Sequence, residues 1–270
     1  MIENNIKKNN YINKYYVDMN FNSSDFRHIK IVDCTFENCL FNKVNFSGVS
    51  IKNSSFKNCQ FINSKMNNAF LNLNIQNQSG EFFDCTFDNC DLSKSSFNFP
   101  IINGCNFKNC NLYQTNFDGS RFCNVTFEGL LDSCFFNGYS IYAKNSPLSL
   151  KKGYSKVTNK NPMKNVSFEK AILQGVSFNY DICLEDCKFP DDEQYIFVNN
   201  PPEVFEKVIN KVESLWSDPN KQLAINYIKK IYYTKSIRDP KNVFIDKSVF
   251  EDDGKNFTEA FFNIINESND

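Results

Sequence analysis

The chain has 270 residues, with 30 Lys/Arg against 31 Asp/Glu, one histidine, eleven cysteines and one tryptophan. A formal net charge of −1 excludes strong bulk attraction to nucleic acid, and no apolar run is long enough for a membrane helix. The length allows two modest domains.

Residues 1–17 read as a polar lead-in, with a first structural turn starting at Tyr11 and Tyr16. The opening MIENNIKKNN lacks the apolar core of a secretory signal peptide. From Phe21 a bulky apolar residue returns every fifth position: Phe26, Ile31, Phe36, Phe41, Phe46, Ile51, Phe56, Phe61, Met66, Leu71. The beat slips by one residue after Leu71 and resumes at Phe82, running through Phe87, Leu92, Phe97, Ile102, Phe107, Leu112, Phe117, Phe122 and Phe127. Phe168, Leu173 and Phe178 form a shorter third stretch. A period of five fits neither a helix nor a flat strand, so each unit turns the chain by itself.

Two residues before each bulky position stands a small one, such as Cys34, Cys39, Ser54, Cys59, Ser64, Cys85, Cys90, Cys105, Cys110 and Thr115. Two residues after it Asn or Gly is common, as at Asn38, Gly48, Asn58, Asn89 and Asn109. These types tolerate the positive φ of a tight corner. Cysteines at the small position, where Ser, Ala, Val and Thr substitute, read as buried free thiols. Such thiols favour a reducing compartment. The spacing of five or twenty also lacks the close pairs of a zinc site, so no metal is expected.

These residues resemble the pentapeptide-repeat family, whose unit is small–polar–Leu/Phe–polar–Gly/Asn. Cys34-Thr35-Phe36-Glu37-Asn38 and Cys105-Asn106-Phe107-Lys108-Asn109 follow it position by position. The resemblance implies a mainly β fold, a right-handed quadrilateral β-helix with four units per coil. The sequence echoes at twenty residues, Cys39 with Cys59, Cys85 with Cys105, and Cys90 with Cys110. Coils stack at strand spacing, about 4.8 Å, so Cys34, Cys39, Cys59, Cys85, Cys105 and Cys110 should face inward. Phe36, Phe41, Phe61, Phe87, Phe107 and Phe117 should stack beside them as the core.

The β-helix is expected over 18–190, interrupted at 138–162. Residues 18–190 carry 17 Lys/Arg against 15 Asp/Glu, and 191–270 carry 10 against 15. No acidic residue lies between Asp132 and Glu169, while six lysines do. A long one-signed interruption of a regular solenoid is a candidate binding element, and Lys144, Lys151, Lys152, Tyr154, Lys156 and Lys160 are its candidate partner-binding residues.

Residues 191–270 read as a helical tail that caps the open end of the β-helix. Asn200 stands as helix cap before Pro201 and Pro202, and helical spacing runs to about Trp216. A second helix follows Pro219, and a third lies near Thr258–Ile265. Phe205, Trp216 and Ile228 are assigned to packing within the tail or to a homodimer contact through its helices. The stretch from Val208 to Ile231 is also similar to the segment after the β-helix in SopA-type ubiquitin-ligase effectors. No cysteine lies beyond Cys187, so the ligase chemistry of those effectors does not carry over.

One histidine, His28, and no nucleophile-elbow or phosphate-loop glycines leave no catalytic constellation and no cofactor motif. The leading expectation is a non-enzymatic scaffold for protein–protein interaction. One alternative is the recruiting half of a SopA-like secreted effector, with a host-protein partner. The other, implied by the family resemblance, is protection of DNA gyrase or another bacterial topoisomerase by mimicry of duplex DNA, which a near-neutral rod suits poorly. Direct nucleic-acid binding is not expected. The location reads as cytoplasmic, or secreted without a classical signal peptide.

Overall fold

The structure, a computed structural model, describes residues 10–73, 80–138, 160–180, 182–231 and 242–269. Each five-residue unit forms one side of a square coil. Its middle residues are extended, and the residue two after the bulky one turns the corner in the left-handed region. Asn38 (φ 53°), Asn58 (φ 51°) and Asn109 (φ 49°) do this, and so do Asp33 (φ 52°), Lys43 (φ 57°) and Lys94 (φ 56°). A non-glycine residue there costs on the order of 1–2 kcal/mol, an expense that stacking must offset at each corner.

The coils pair as parallel strands and present four faces. Face one is an eight-stranded sheet running from Tyr11–Ile12 to Ser177–Asn179. Its inward column contains Tyr11, Ile31, Phe97, Phe117, Phe136 and Phe178. Face two stacks Tyr16, Phe36, Phe56, Phe82, Ile102 and Phe122. Face three stacks Phe41, Phe61, Phe87, Phe107 and Phe127. The strand Arg121–Asp132 runs on round the corner and joins these two faces into one sheet. Face four is held by bridges linking Asp25, Asn45, Lys65, Asp91 and Asn111, which place Phe26, Phe46, Met66, Leu92 and Leu112 in its core.

Ring stacking is most regular on face three. Phe41–Phe61, Phe61–Phe87 and Phe87–Phe107 have centroid separations of 4.8, 4.8 and 4.7 Å, with planes within 6° of parallel. The column continues through Phe127, Phe168 and Phe189. Beside it Cys39, Cys59, Cys85 and Cys105 form one inward ladder of buried thiols. Each Sγ donates to a carbonyl in the coil beneath: Cys59 to Phe36 O (3.4 Å), Cys85 to Phe56 O (3.3 Å), Cys105 to Phe82 O (3.4 Å). Ser64 and Thr115 repeat the bond on the other faces, to Phe41 O and Leu92 O at 2.8 and 2.9 Å. The small position therefore does more than save space. It supplies a donor to a buried carbonyl, which explains Cys, Ser and Thr there. Burial pushes the Cys134 thiol up to about 12, and the Cys39 thiol is raised by its bond to Cys59 and by burial.

The one-residue slip of the beat after Leu71 comes with one further whole beat. Phe56 pairs with Phe82, so the coil containing them is six residues longer than twenty. Face one passes directly to face two, and Cys85 lies above Cys59 without a break in the ladder.

The end of the β-helix at its last coil is sealed first by a strand pair and then by helices. Tyr195–Asn199 pairs antiparallel with Asn242–Asp246. Alternate residues serve two cores. Phe244, Tyr195 and Phe197 pack on the β-helix, whereas Ile196, Val198, Val243 and Ile245 face the helices. Phe244 stacks on Phe189 at 5.1 Å, so it continues the aromatic column past the last coil. The free N–H groups of that coil are also taken up: Leu173 N donates to Tyr195 Oη (2.9 Å) and Gly175 N to Asp246 Oδ2 (3.3 Å). Gln194 Nε2 and Ser248 N hold the other carboxylate oxygen.

The tail helices are Pro201–Leu215, Asn220–Lys229 and Lys255–Asn269. Asn200 does not cap the first through its side chain. Its backbone is left-handed (φ 49°), and its Nδ2 donates to Glu203 Oε2 at 2.7 Å. The two prolines of the first turn define that start. Phe205 and Ile228 are buried in the second core, and Trp216 packs on Phe257 and Phe261 at 5.6 and 6.0 Å. The Asp239-Pro240 dipeptide, a helix-breaking signal in the sequence, lies outside the described residues.

Phe107→Ala should cost about 3–5 kcal/mol, measured by denaturant unfolding, because it opens a void in the middle of a stacked column. Asp246→Ala should cost about 1–3 kcal/mol, and amide exchange should show the coil at 163–175 losing protection before the coils at 31–70.

Candidate partner-binding edge

A solenoid of this kind keeps its core only if departures of the chain occur at corners. Both departures lie on the same edge, between faces one and two. The first leaves face one after Phe70–Leu73 and rejoins face two at Glu81–Phe83. The second leaves after Phe135–Asn137 and rejoins at Lys164. At the small inward position of face two, two residues before the bulky one, the rejoining chain has Gly80 in the first case and Asn161 in the second, and each time an asparagine side chain fills the space.

At the first, the space beside Gly80 is taken by buried Asn72, whose Oδ1 accepts from Ser54 N at 3.0 Å. A Cβ on Gly80 would come within 2.2 Å of that carboxamide. At the second, buried Asn161 accepts from Phe122 N (3.0 Å) and Met163 N (3.2 Å), and donates to Asn137 O (3.4 Å). Its own N–H donates to Gly138 O at 2.7 Å, so the two ends of the departure are tied together. Neither asparagine stood out in the sequence, because Asn is also the commonest outer residue of the repeat.

Three phenylalanines are exposed among the described residues: Phe70 (52%), Phe83 (41%) and Phe135 (42%). All three lie beside these departures. Phe70 and Phe135 stand in one outward column of face one, three strand steps apart through Ser96 and Asn116, or about 14 Å. Phe83 faces outward on face two, between Lys57 and Asn103. The composition alone could not reveal them, since 29 phenylalanines mask the few that fall off the beat.

Of the basic candidates, Lys160 is exposed at the rejoining point. Lys144, Lys151, Lys152, Tyr154 and Lys156 lie outside the described residues. Elsewhere on the β-helix some charges occur in local pairs, Lys57 with Glu81 at 3.2 Å and Lys170 with Glu128 at 3.5 Å. His28 sits exposed at a corner (φ 56°). A polar cleft of about 450 Å³ on the cap is lined by Glu193, Lys247, Glu251, Lys255 and Glu259, but Lys247 and Glu259 pair across it at 2.6 Å. Among the described residues no three His, Cys, Asp or Glu side chains converge on a metal position, and no helix is long and apolar enough to cross a membrane.

The pentapeptide-repeat family model matches residues 20–58 and 90–129, in eight copies. Residues 20–58 and 90–129 are thus pentapeptide repeats. Among solved structures the chain is similar to QnrB1, a plasmid-mediated fluoroquinolone resistance protein, at 18% identity and TM-score 0.33, covering 64% of this chain and 86% of that one. It is also similar to HetL, a pentapeptide-repeat protein involved in heterocyst differentiation regulation in the cyanobacterium Nostoc, at 12% identity and TM-score 0.33, covering 70% and 93%. A third is Rfr23 of the cyanobacterium Cyanothece, at 12% identity and TM-score 0.18, covering 59% and 90%. No curated protein matches the chain. None of these comparisons supports the likeness of the tail to SopA-type effectors.

Asn161→Ala should cost about 2–3 kcal/mol, since it strands two buried N–H groups and a carbonyl. The loss should appear in urea unfolding, whereas Asn63→Ala, at an ordinary corner, should change stability by under about 1 kcal/mol.

Proposed function

We propose that this chain is a non-enzymatic scaffold that binds a protein partner along the edge between faces one and two. The observation that carries this reading is the gathering of the three exposed phenylalanines at the two places where the chain departs from its coil. Exposed aromatics on a rigid framework are effective anchors, because little ordering cost is met on binding. The departure that leaves after Phe135–Asn137 and rejoins at Lys164 lies on that edge, within a stretch from Asp132 to Glu169 that has lysines and no acid between them, and it favours a partner with an acidic surface.

The test is an affinity capture with mass spectrometry from bacterial and eukaryotic lysates, using the wild type, Phe70→Ser/Phe135→Ser, and Lys151→Glu/Lys152→Glu/Lys156→Glu. A protein retained by the wild type and lost from both variants supports the edge. Retention by both variants sinks it. Capture of gyrase or another topoisomerase would identify the scaffold as a topoisomerase-binding one, and capture of a eukaryotic protein as an effector.

A further inference from the structure

We propose that the N-terminal edge of the β-helix is a dimerisation surface, on which a second copy of this chain docks head to head through antiparallel pairing of the strand Tyr15–Val17. This does not depend on the partner-binding edge, which lies along the side of the solenoid.

The two ends of the β-helix are finished differently. The far end is closed by Phe244, Tyr195 and Asp246. At the near end the strand Tyr15–Val17 is the outermost of its sheet and pairs on one side only, with Thr35–Glu37. Asp18 N and Lys14 O bond upward, to Glu37 O and from Thr35 N. By alternation, the N–H and C=O groups of Tyr15 and Val17 point the other way, where no described strand meets them. Proteins usually blunt such an edge with lysine, proline or a bulge. Here it reads Tyr-Tyr-Val, and it carries the exposed apolar side chains of Tyr15 (64%) and Val17 (36%), with Ile12 (50%) on the neighbouring edge strand. The ring of Tyr16 stacks on Phe36 at 5.1 Å and 16° and opens the face-two column; no described ring lies below it.

The occupant is indicated by the symmetry of the strand itself. Antiparallel pairing about a two-fold axis at Tyr16 sets Tyr15 opposite Val17, so their free backbone groups can exchange both hydrogen bonds. The same register sets exposed Lys14 opposite exposed Asp18 of the other copy, twice per interface. A strand whose flanking charges are opposite and equidistant from its centre is complementary to itself. With the other end sealed, this contact closes at two copies rather than growing into a fibre. The tail helices offer less. Their apolar residues Phe205 and Ile228 are spent in the second core, and the large apolar side chains that the described helical segments expose are the separate Leu215 and Val249.

The test is analytical ultracentrifugation of the full chain over a dilution series, on the wild type, Lys14→Asp, Asp18→Lys, the double exchange, and Leu215→Lys. The corner held by Asp18 (φ 55°) accepts lysine, since Lys43 and Lys94 occupy the equivalent corners at φ 57° and 56°, so circular dichroism and melting should be unchanged apart from the exposed bond from Asn38 Nδ2. The expected result is a wild-type dimer weakened about tenfold by either single reversal, two repelling contacts replacing two attractive ones, and restored by the double exchange. A monomer at every concentration overturns the proposal. So does a dimer that ignores the charge reversals, or one that only Leu215→Lys disrupts.

Discussion

Everything in this molecule follows from stacking each coil on the one beneath at strand spacing. That spacing is fixed by backbone hydrogen bonds near 4.8 Å, and aromatic rings held near parallel at 4.7–5.1 Å from Phe41 to Phe168 on face three fill it almost completely. The constraint is local and unforgiving. A bulky inward residue can be covered only by another bulky residue in the same column of the next coil, and the space beside it admits only a small side chain. Because the coil's carbonyls are buried there, the small side chain is best when it can donate. The thiols, hydroxyls and left-handed corners are all consequences of that one requirement.

The same requirement governs how the chain may leave the repeat. A departure in mid-face would unstack two columns, whereas one at a corner removes a single small side chain. Asn72 and Asn161 show how the vacancy is filled, one from the residue preceding the departure and one from the residue following it. Both carboxamides are long enough to reach the vacant position and polar enough to meet the stranded N–H groups. Asn72 does so incompletely, for its Nδ2 has no partner. That both departures use one edge concentrates the long interruptions there, while a smaller register shift falls between Thr126 and Glu128.

Sequence periodicity carried the fold because the repeat is enforced residue by residue. Phe21 through Leu71 spell out the columns, and Asn38, Asn58 and Asn109 mark the corners. Two things were hidden. The six added residues near Leu71 looked like a one-residue slip, since a departure of six is one beat plus one. The strands Tyr195–Asn199 and Asn242–Asp246 were missed because both of their faces are buried, one against Phe189 and one against the tail helices. A strand covered on both sides loses the alternation of apolar and polar residues by which strands are recognised. The exposed phenylalanines were illegible for the opposite reason. Phe70, Phe83 and Phe135 are the same residue type as the core, and only the register separates them from it.

This division between inward and outward positions also explains why fold and function part company in such a chain. Outer residues contribute little to stacking, and some that carry charge pair with a neighbour in the next coil, as Lys57 does with Glu81. They are free to change without loss of the solenoid. Specificity must therefore reside where the regular balance is broken: in aromatics that face water, in lysines without acidic neighbours, and in strand edges without a coil beyond them. Among the described residues the exposed phenylalanines lie beside the departures between faces one and two, and the strand Tyr15–Val17 stands outermost on the N-terminal coil. A scaffold that recognised partners through its regular faces would have to do so with carboxamide ladders and paired charges common to every coil, which offer a partner no reason to prefer one register over the next.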